Sequence, residues 1–336
     1  MITTFNVPSV LISLSIFFAS GLEPSVFPPD PGHDAVQAVE PADDKVGKLL
    51  PYQLPVDSAR SLERIASQSD VLVLGEAHGS QEVPAVVTAM LMPLDKLGYG
   101  VLAIEVPSDQ QEQLIAWATG KTTDVPSFYA KPGTDGRGNI QMLSLIRAAV
   151  SEPLRWKLIC FDGTEAEMLQ DEDLEKEFGP DEIDPAQIPM DNRISDVQIR
   201  LNLKRDARMA SNLARESKPL DPHGKVLAIC GNLHARTANN PAPDNPIGSL
   251  WPSFAAELQR THATWHVRSV DINFHGGECF FNGKVSALAG SPLGEAETRT
   301  TPGGDWDLEL HLPRATPATF LVPPSDPPPT RPARDK

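Results

Sequence analysis

Two motifs of the same form could supply catalytic histidines in this chain. Gly75-Glu76-Ala77-His78 and Gly231-Asn232-Leu233-His234 each place a histidine three residues after a glycine. A histidine can take up or release a proton near neutral pH, and its neutral ring is a common metal ligand. Glu76, two residues before His78, could act as a general base or hold the histidine ring in place.

The segments before the two motifs predict how both histidines reach one place. Apolar runs rich in branched residues, Val71–Leu74 and Val226–Cys230, precede the two glycines and are typical of buried strands. Glycine allows the backbone to turn sharply as it leaves a strand. Because ligands bind at the carboxyl ends of strands in open α/β sheets, we expect His78 and His234 within roughly 10 Å of each other.

Two further apolar runs end in acidic residues. The run at Val101–Ile104 continues into Glu105, and Leu158–Phe161 continues into Asp162. Polar residues often end strands simply because loops are solvated. Four buried strands that all end in side chains suited to acid–base or metal chemistry nevertheless favour a shared site.

These side chains permit two forms of hydrolytic chemistry. His78, Glu105 and His234 would form a set of two histidines and one carboxylate for manganese or zinc, with positions left open for water. Such a metal acidifies bound water and polarises a carbonyl group. Without a metal, His78 oriented by Glu76 or Glu105 would activate water against an ester. Both hypotheses predict attack on an ester or amide of a small molecule or peptide.

A charged residue interrupts the apolar stripe of a long helix predicted over about residues 193–216. Arg205 occupies the position that would complete the stripe formed by Leu201 and Met209, and Asp206 follows it. A charge on a core-facing stripe is costly unless it is paired or faces a pocket. We therefore weigh two interpretations of Arg205, a structural pair with Asp206 and an arginine that binds an anion in the site.

The order of the predicted elements defines the fold class. Helices are predicted after Gly79, after a capping box at Ser108–Gln111, and from Asn139 onward. Strands that alternate with helices predict an α/β fold with a central, mostly parallel sheet flanked by helices. Strand-like alternation over residues 264–272, 278–285 and 306–312 predicts either more strands of this sheet or a small β-rich C-terminal extension.

Composition excludes some partners. The chain of 336 residues has 29 basic and 45 acidic residues, a formal charge of −16, and therefore lacks the positive charge that binds nucleic acid or an anionic membrane surface. Three cysteines, two of them in predicted buried strands, indicate core packing by Cys160 and Cys230 rather than a disulfide framework.

The ends of the chain differ from its centre. Residues 1–21 resemble a signal peptide, because the apolar run Val10–Ala19 is too short to span a membrane and small residues follow it, although no Lys or Arg precedes it. We therefore expect an exported protein, periplasmic or extracellular, without stable membrane insertion. Residues 22–48 and the Pro-rich tail 323–336 are typical of disorder, so residues 49–322 are predicted to form the folded domain.

In their order along the chain, these residues resemble a superfamily that includes erythromycin esterases, ChaN-type haem-binding proteins and Tiki/TraB proteins. The resemblance spans about residues 50–320. It rests on both histidine motifs and Glu105, on Arg205-Asp206-x-x-Met209, and on Asp135-Gly136-Arg137, which is similar to a loop of exported bacterial members.

The resemblance, together with the strand ends and the helix stripe described above, assigns roles to seven residues. Tiki-like proteins are metal-dependent proteases, which implies His78, Glu105 and His234 as metal ligands. The erythromycin esterases imply an acidic and histidine cluster that opens an ester, although this chain has one residue between Glu76 and His78 where they have two. The candidate catalytic residues are Glu76, His78, Glu105 and His234, and the candidate substrate-binding residues are Arg137, Asp162 and Arg205. The ChaN proteins imply an alternative, a non-catalytic binder of haem or a metal.

Overall fold

The structure is a computed structural model that describes residues 51–130, 136–164, 167, 196–217, 224–238, 250–281, 283–288, 290, 293–301 and 303–321. The segments predicted as signal peptide, linker and tail lie outside these residues, so the predictions about export and disorder stay predictions. No described helix combines the length and the apolar character needed to cross a membrane.

A seven-stranded sheet forms the centre of the described fold, in the order β3-β2-β4-β1-β5-β9-β8. Every neighbouring pair is parallel except β8 with β9, and β6 and β7 form a separate antiparallel hairpin. The predicted α/β class with a β-rich C-terminal part is therefore confirmed. The strands are β1 Val71–Glu76, β2 Tyr99–Pro107, β3 Lys157–Asp162, β4 Lys225–Gly231, β5 Val267–Phe274, β6 Glu278–Phe281, β7 Lys284–Ala287, β8 Glu297–Arg299 and β9 Leu308–Leu312.

Helices cover both faces of the sheet. They are α1 Val56–Ser67, α2 Glu82–Lys96, α3 Gln111–Ala118, α4 Ser127–Ala130, α5 Ile140–Val150, α6 Asp196–Ser217 and α7 Phe254–Thr261. Helices α1 to α5 pack on one face, which we call the first layer, and α6 and α7 pack on the other, the second layer. Successive side chains of β1 alternate between them, since Leu72 and Leu74 lie in the core of the first layer and Val71 and Val73 in the core of the second. A strand covered on both faces is apolar at nearly every position. For this reason, these strands could be predicted from the sequence.

Two sequence predictions need correction. The predicted capping box is not formed, because Ser108–Gln110 make a 3₁₀ turn and α3 begins at Gln111 without a side-chain cap. The Gln111 side chain that the box requires instead accepts a hydrogen bond from the Cys160 backbone N–H at 2.8 Å. The strand-like run over residues 278–285 is not one strand but part of a hairpin of two short antiparallel strands, β6 and β7.

An acidic side chain is buried within β5, on the face of the second layer. Asp271 is 2% exposed, and its Oδ2 accepts a hydrogen bond from Asn273 Nδ2 at 2.6 Å. Its Oδ1 has no hydrogen-bond partner among the described residues. Burial, together with the nearby carboxylates of Glu309 and Asp305, raises the pKa of Asp271 to about 7.

We expect Asp271→Asn to make the protein more stable at pH 8 than the wild type. The folded-state pKa lies above the ordinary value of 3.8, so the wild type loses stability as pH rises from about 4 through about 7. The neutral amide removes this loss, and the predicted gain at pH 8 is on the order of 3 kcal/mol. Chemical denaturation of both proteins at pH 5 and pH 8 measures it. An equal difference at the two pH values would show that Asp271 does not titrate in this range.

Candidate functional site

The carboxyl ends of four adjacent strands bring the predicted site residues together. Glu76 is the last residue of β1, Glu105 lies near the end of β2, and Asp162 is the last residue of β3. His234 follows the end of β4 by three residues. Because β1 to β4 are neighbours in the sheet, all four side chains lie at one edge, and each is at most 9% exposed.

The first histidine motif forms a carboxylate–histidine pair. Glu76 Oε1 lies 3.0 Å from His78 Nδ1. With the proton on Nδ1 donated to this carboxylate, Nε2 carries the lone pair of the ring. Nε2 in turn lies 3.6 Å from Oε2 of Glu105. Glu76 therefore orients the ring so that its basic nitrogen faces the centre of the site.

The second histidine motif forms another pair of the same kind. Asp206 Oδ1 lies 2.5 Å from His234 Nδ1, and the Asp206 side chain is buried. Arg205 Nη1 lies 3.3 Å from His234 Nε2, and Nε2 is also 3.9 Å from Glu105 Oε1. The two histidines thus direct the same ring nitrogen at the same carboxylate.

Two arginines bind Glu105 and Asp162 from opposite layers. Arg137, which precedes α5 in the first layer, donates from Nη1 to Glu105 Oε1 at 3.0 Å and to Asp162 Oδ2 at 2.9 Å. Arg205, on α6 in the second layer, donates from Nη2 to Glu105 Oε1 at 2.5 Å and to Asp162 Oδ2 at 2.7 Å. Its Nε also donates to Asp162 Oδ1 at 2.9 Å, so the contact with Asp162 is bidentate.

These ion pairs keep the two carboxylates ionised. Burial alone would raise the pKa of Glu105, but the charges of Arg205 and Arg137 outweigh it and hold this pKa well below its ordinary range. The pKa of Asp162 is lowered in the same way, against burial, chiefly by Arg205. Burial would lower the pKa of Arg205, yet the carboxylates of Asp162 and Glu105 raise it. Glu105 and Asp162 therefore act as fixed negative charges at neutral pH.

The glycine of the second motif leaves space between the histidines. The Gly231 N–H donates to Glu105 Oε2 at 2.6 Å. A Cβ at this position would lie 3.1 Å from His78 Nε2 and 3.4 Å from His234 Cδ2. The two rings therefore face each other across Gly231, well within the roughly 10 Å that we predicted from the strand ends.

We expect Gly231→Ala to lower the turnover number by about tenfold or more while the protein stays folded. The added methyl group would occupy the space beside His78 Nε2, and a displacement of about 1 Å at a reacting group is enough for such losses. Steady-state kinetics and thermal melting of the variant measure both effects. Gly294→Ala is the control, because a Cβ at Gly294 meets nothing within 4 Å. Unchanged turnover in Gly231→Ala would place the reaction elsewhere.

A small cleft opens beside these residues. It encloses about 220 Å³, including space that is open to solvent. One part of its lining is polar and ionisable, and the other is apolar. The polar residues are Glu76, His78, Glu105 and Arg137, and the apolar residues are Ile104, Val106, Met142 and Ile229.

The predicted metal ligands do not fit a metal as they are arranged. Glu105 Oε1 accepts hydrogen bonds from both arginines, and Oε2 accepts one from the Gly231 N–H. Arg205 also faces the ring nitrogen with which His234 would bind the metal. Among the described residues, no three His, Cys, Asp or Glu side chains are placed to hold a metal ion. Two guanidinium groups at the ligating atoms would also repel a divalent cation.

The structure thus places all seven predicted site residues in one cluster and corrects one pairing. Arg205 pairs with Asp162 and Glu105, whereas Asp206 holds His234. The sequence indicated Asp206 only as a partner for Arg205.

Sequence reasoning also missed Arg236, which is 1% exposed and donates to the backbone oxygens of Leu233 and Leu250. Its position two residues after His234 was the one available signal. Through these two hydrogen bonds, Arg236 connects the turn that carries His234 with the segment before α7.

Comparisons with known proteins find similar solved structures but no close relative. No protein-family model and no curated protein match the chain. Among solved structures, it is similar to a mutant of the erythromycin esterase EreC in its open conformation, with 10% identity, a TM-score of 0.47, and coverage of 82% of this chain and 98% of that one.

Two more solved structures are similar at the same level. ChaN of Campylobacter jejuni, solved with cofacial haem, has 15% identity, a TM-score of 0.39, and coverage of 75% of this chain and 90% of that one. The type III effector HopBA1 has 12% identity, a TM-score of 0.44, and coverage of 78% and 96%. The erythromycin esterases and ChaN proteins, which the motifs resemble, are thus among the similar structures. These similarities carry no argument about function, which is argued below from the residues of this chain.

Proposed function

We propose that this protein is a hydrolase in which His78, held by Glu76, activates a water molecule against an ester or amide carbonyl without a metal. The observation that carries the proposal is the 3.0 Å contact between Glu76 Oε1 and His78 Nδ1 in a cleft that both side chains line. A carboxylate on Nδ1 fixes the tautomer in which Nε2 is the base.

The reaction begins with transfer of one proton from water to His78 Nε2. The resulting hydroxide attacks the carbonyl carbon, and the tetrahedral intermediate carries the negative charge on the former carbonyl oxygen. The imidazolium then returns the proton to the leaving oxygen or nitrogen as the bond to carbon breaks. Glu76 and the fixed negative charge of Glu105 stabilise the imidazolium in between.

Arg137 supports the stabilisation of the intermediate. Its guanidinium lines the cleft, and its bonds to Glu105 and Asp162 fix its position before substrate arrives. A positive group that is already oriented loses little energy to reorganisation when charge develops. On the side of the second layer, Arg205 and His234 contact Glu105, and these contacts keep its carboxylate in place.

The alternative function, a non-catalytic haem binder, has less support from the cleft. A haem iron in the cleft would need the Nε2 of His78, which faces Oε2 of Glu105 at 3.6 Å. A metal-assisted hydrolase with manganese or zinc would require both arginines to leave Glu105.

Hydrolysis of p-nitrophenyl acetate and p-nitrophenyl butyrate, before and after dialysis against EDTA, tests the proposal. We expect both esters to be hydrolysed, and we expect dialysis against EDTA to leave the rates of hydrolysis unchanged. Loss of activity that manganese or zinc restores would favour the metal hypothesis instead. No hydrolysis of these esters or of a panel of peptide amides would refute the hydrolase itself.

A further inference from the structure

The segment after β9 runs back to the two loops that carry His78 and Arg137. We call residues 313–321 the strap. An isolated bridge joins Pro317 of the strap to Ser80, two residues after His78, and another joins Ala315 to the loop before β6. The strap therefore lies against the turn that follows β1, although more than 200 residues of sequence separate the two segments.

One set of hydrogen bonds joins the strap to the loop that carries His78. The Ala318 N–H donates to the carbonyl oxygen of Gly79 at 2.8 Å. Gln81 donates from its backbone N–H and from its Nε2 to carbonyl oxygens of the strap, at 3.0 and 2.8 Å. Because Gly79 follows His78 directly, these bonds hold the backbone from which the His78 side chain extends.

A second set joins the strap to the loop that carries Arg137. The Ile140 N–H, at the start of α5, donates to the carbonyl oxygen of Thr319 at 2.9 Å. Gln141 Nε2 donates to Thr319 Oγ1 at 2.7 Å, and Gln141 Oε1 accepts from the Thr319 N–H at 3.1 Å. The strap thus bridges the start of α2, just after His78, and the start of α5, just after Arg137.

The two loops also contact each other, at glycines next to His78 and Arg137. Gly79 and Gly136 have φ angles of +83° and +87°, which favour glycine. A Cβ at Gly136 would lie 2.6 Å from Gly79 Cα and 2.8 Å from the carbonyl oxygen of Phe280. The Phe280 N–H, on β6, donates to the Gly79 carbonyl oxygen at 2.9 Å. With backbones this close, a displacement of one loop displaces the other.

We infer that the strap is a positioning element of the active site, which fixes His78 relative to Arg137 through Gly79 and Ile140. Both side chains line the cleft, one as the base and the other as the positive group beside the developing charge. These roles require both groups to be placed around the same carbonyl, and an error of about 1 Å in such a placement can cost 100-fold in rate. The inference rests on the proposed function, because it names what sets the geometry of the same site.

The test weakens the attachment of the strap in the full-length chain. The double variant Gln81→Ala/Gln141→Ala removes three side-chain hydrogen bonds to the strap, and both glutamines lie outside the lining of the cleft. We expect kcat for p-nitrophenyl butyrate to fall by about tenfold or more. The ratio kcat/KM should fall by the same factor, because the misplaced groups act in the transition state. Kinetics are measured well below the Tm of each protein, so that unfolding does not contribute.

Two further variants separate positioning from a general loss of hydrogen bonds. Gln259 Nε2 donates to the Val267 carbonyl oxygen at 3.2 Å, at the far edge of the sheet, so Gln259→Ala is the matched control for Gln81→Ala and should keep the wild-type kcat. Gln141→Glu should also keep it, because the carboxylate still accepts from the Thr319 N–H and the threonine hydroxyl can donate to it. If the double variant fails to fold, the two single alanine variants replace it, each with a smaller fall in kcat.

The ¹⁵N NMR signals of the His78 ring test the inference without turnover, and the spectrum of His78→Ala assigns them. In the wild type, the ring should carry its proton on Nδ1, where it faces Glu76 Oε1 at 3.0 Å. In the double variant we expect signals of mixed tautomers, because the ring is no longer held against this carboxylate. Gln259→Ala should leave the His78 signals unchanged.

The two measurements together decide the inference. With an active wild type, an unchanged kcat or unchanged His78 signals in the folded double variant would overturn it. An equal fall in kcat in Gln259→Ala would overturn it as well. If the wild type hydrolyses none of the esters and amides, the proposed hydrolase is refuted, and the His78 signals then decide whether the strap positions this ring.

Discussion

His78→Ala is expected to lower kcat for ester hydrolysis by about 100- to 10,000-fold, the usual contribution of a positioned general base. The substitution removes the nitrogen that takes the proton from water. Glu76 then has no histidine ring through which it could act on the water molecule. The fold should persist, because His78 lies on the turn after β1 and is only partly buried. Steady-state kinetics with p-nitrophenyl butyrate and a thermal melt measure both quantities.

The matched control is His266→Ala. His266 Nδ1 lies 2.9 Å from Asp70 Oδ2, which reproduces the geometry of the Glu76–His78 pair at an exposed position before β1 and β5, on the far edge of the sheet. We expect no change in kcat there. Equal activity of His78→Ala and the wild type would contradict the proposed mechanism.

Arg205→Ala is expected to cost about 3–5 kcal/mol of unfolding free energy at pH 7, the range for removal of one partner from a buried ion pair. Glu105 and Asp162 would each lose a guanidinium contact while they remain buried. Their lowered pKa values give the wild type stability that is present above the ordinary carboxyl pKa and lost as pH falls through the folded-state pKa. The difference between the two proteins should therefore shrink between pH 7 and about pH 3, which lies below the ordinary carboxyl values of 4.5 for Glu105 and 3.8 for Asp162.

Arg60→Ala serves as the control for this loss. Arg60 Nη1 lies 3.8 Å from Asp57 Oδ1 on α1, and both side chains are exposed, by 76% and 97%. We expect no measurable change there, because water screens exposed pairs. Chemical denaturation at both pH values compares the variants. A pH-independent or negligible loss in Arg205→Ala would mean that Arg205 does not stabilise the carboxylates.

The strands and their common edge could be predicted from local sequence for a simple physical reason. A strand covered on both faces must be apolar throughout, and parallel strands must end together. Arg205 was also detectable, because a charge breaks the apolar stripe of α6. Strand β8 was not, since Glu297–Arg299 is too short and too polar to show a period.

The missed features depend on how elements pack against one another. Asp206 reaches His234 only because of how α6 lies beside β3 and the turn after β4, a relation that neighbouring residues in the sequence do not encode. Gln111 was misassigned because its side chain serves β3 rather than its own helix.

The approach of the two arginines from opposite layers has a consequence for the order of assembly. Arg137 belongs to the first layer and Arg205 to the second, yet both bind the same two carboxylates of the sheet edge. An intermediate with only one layer docked would hold Glu105 and Asp162 with half of their compensating charge. During refolding, the proposed hydrolytic activity should therefore return only after the slower of the two layers has docked on the sheet. The time at which product first appears would then report the last step of assembly.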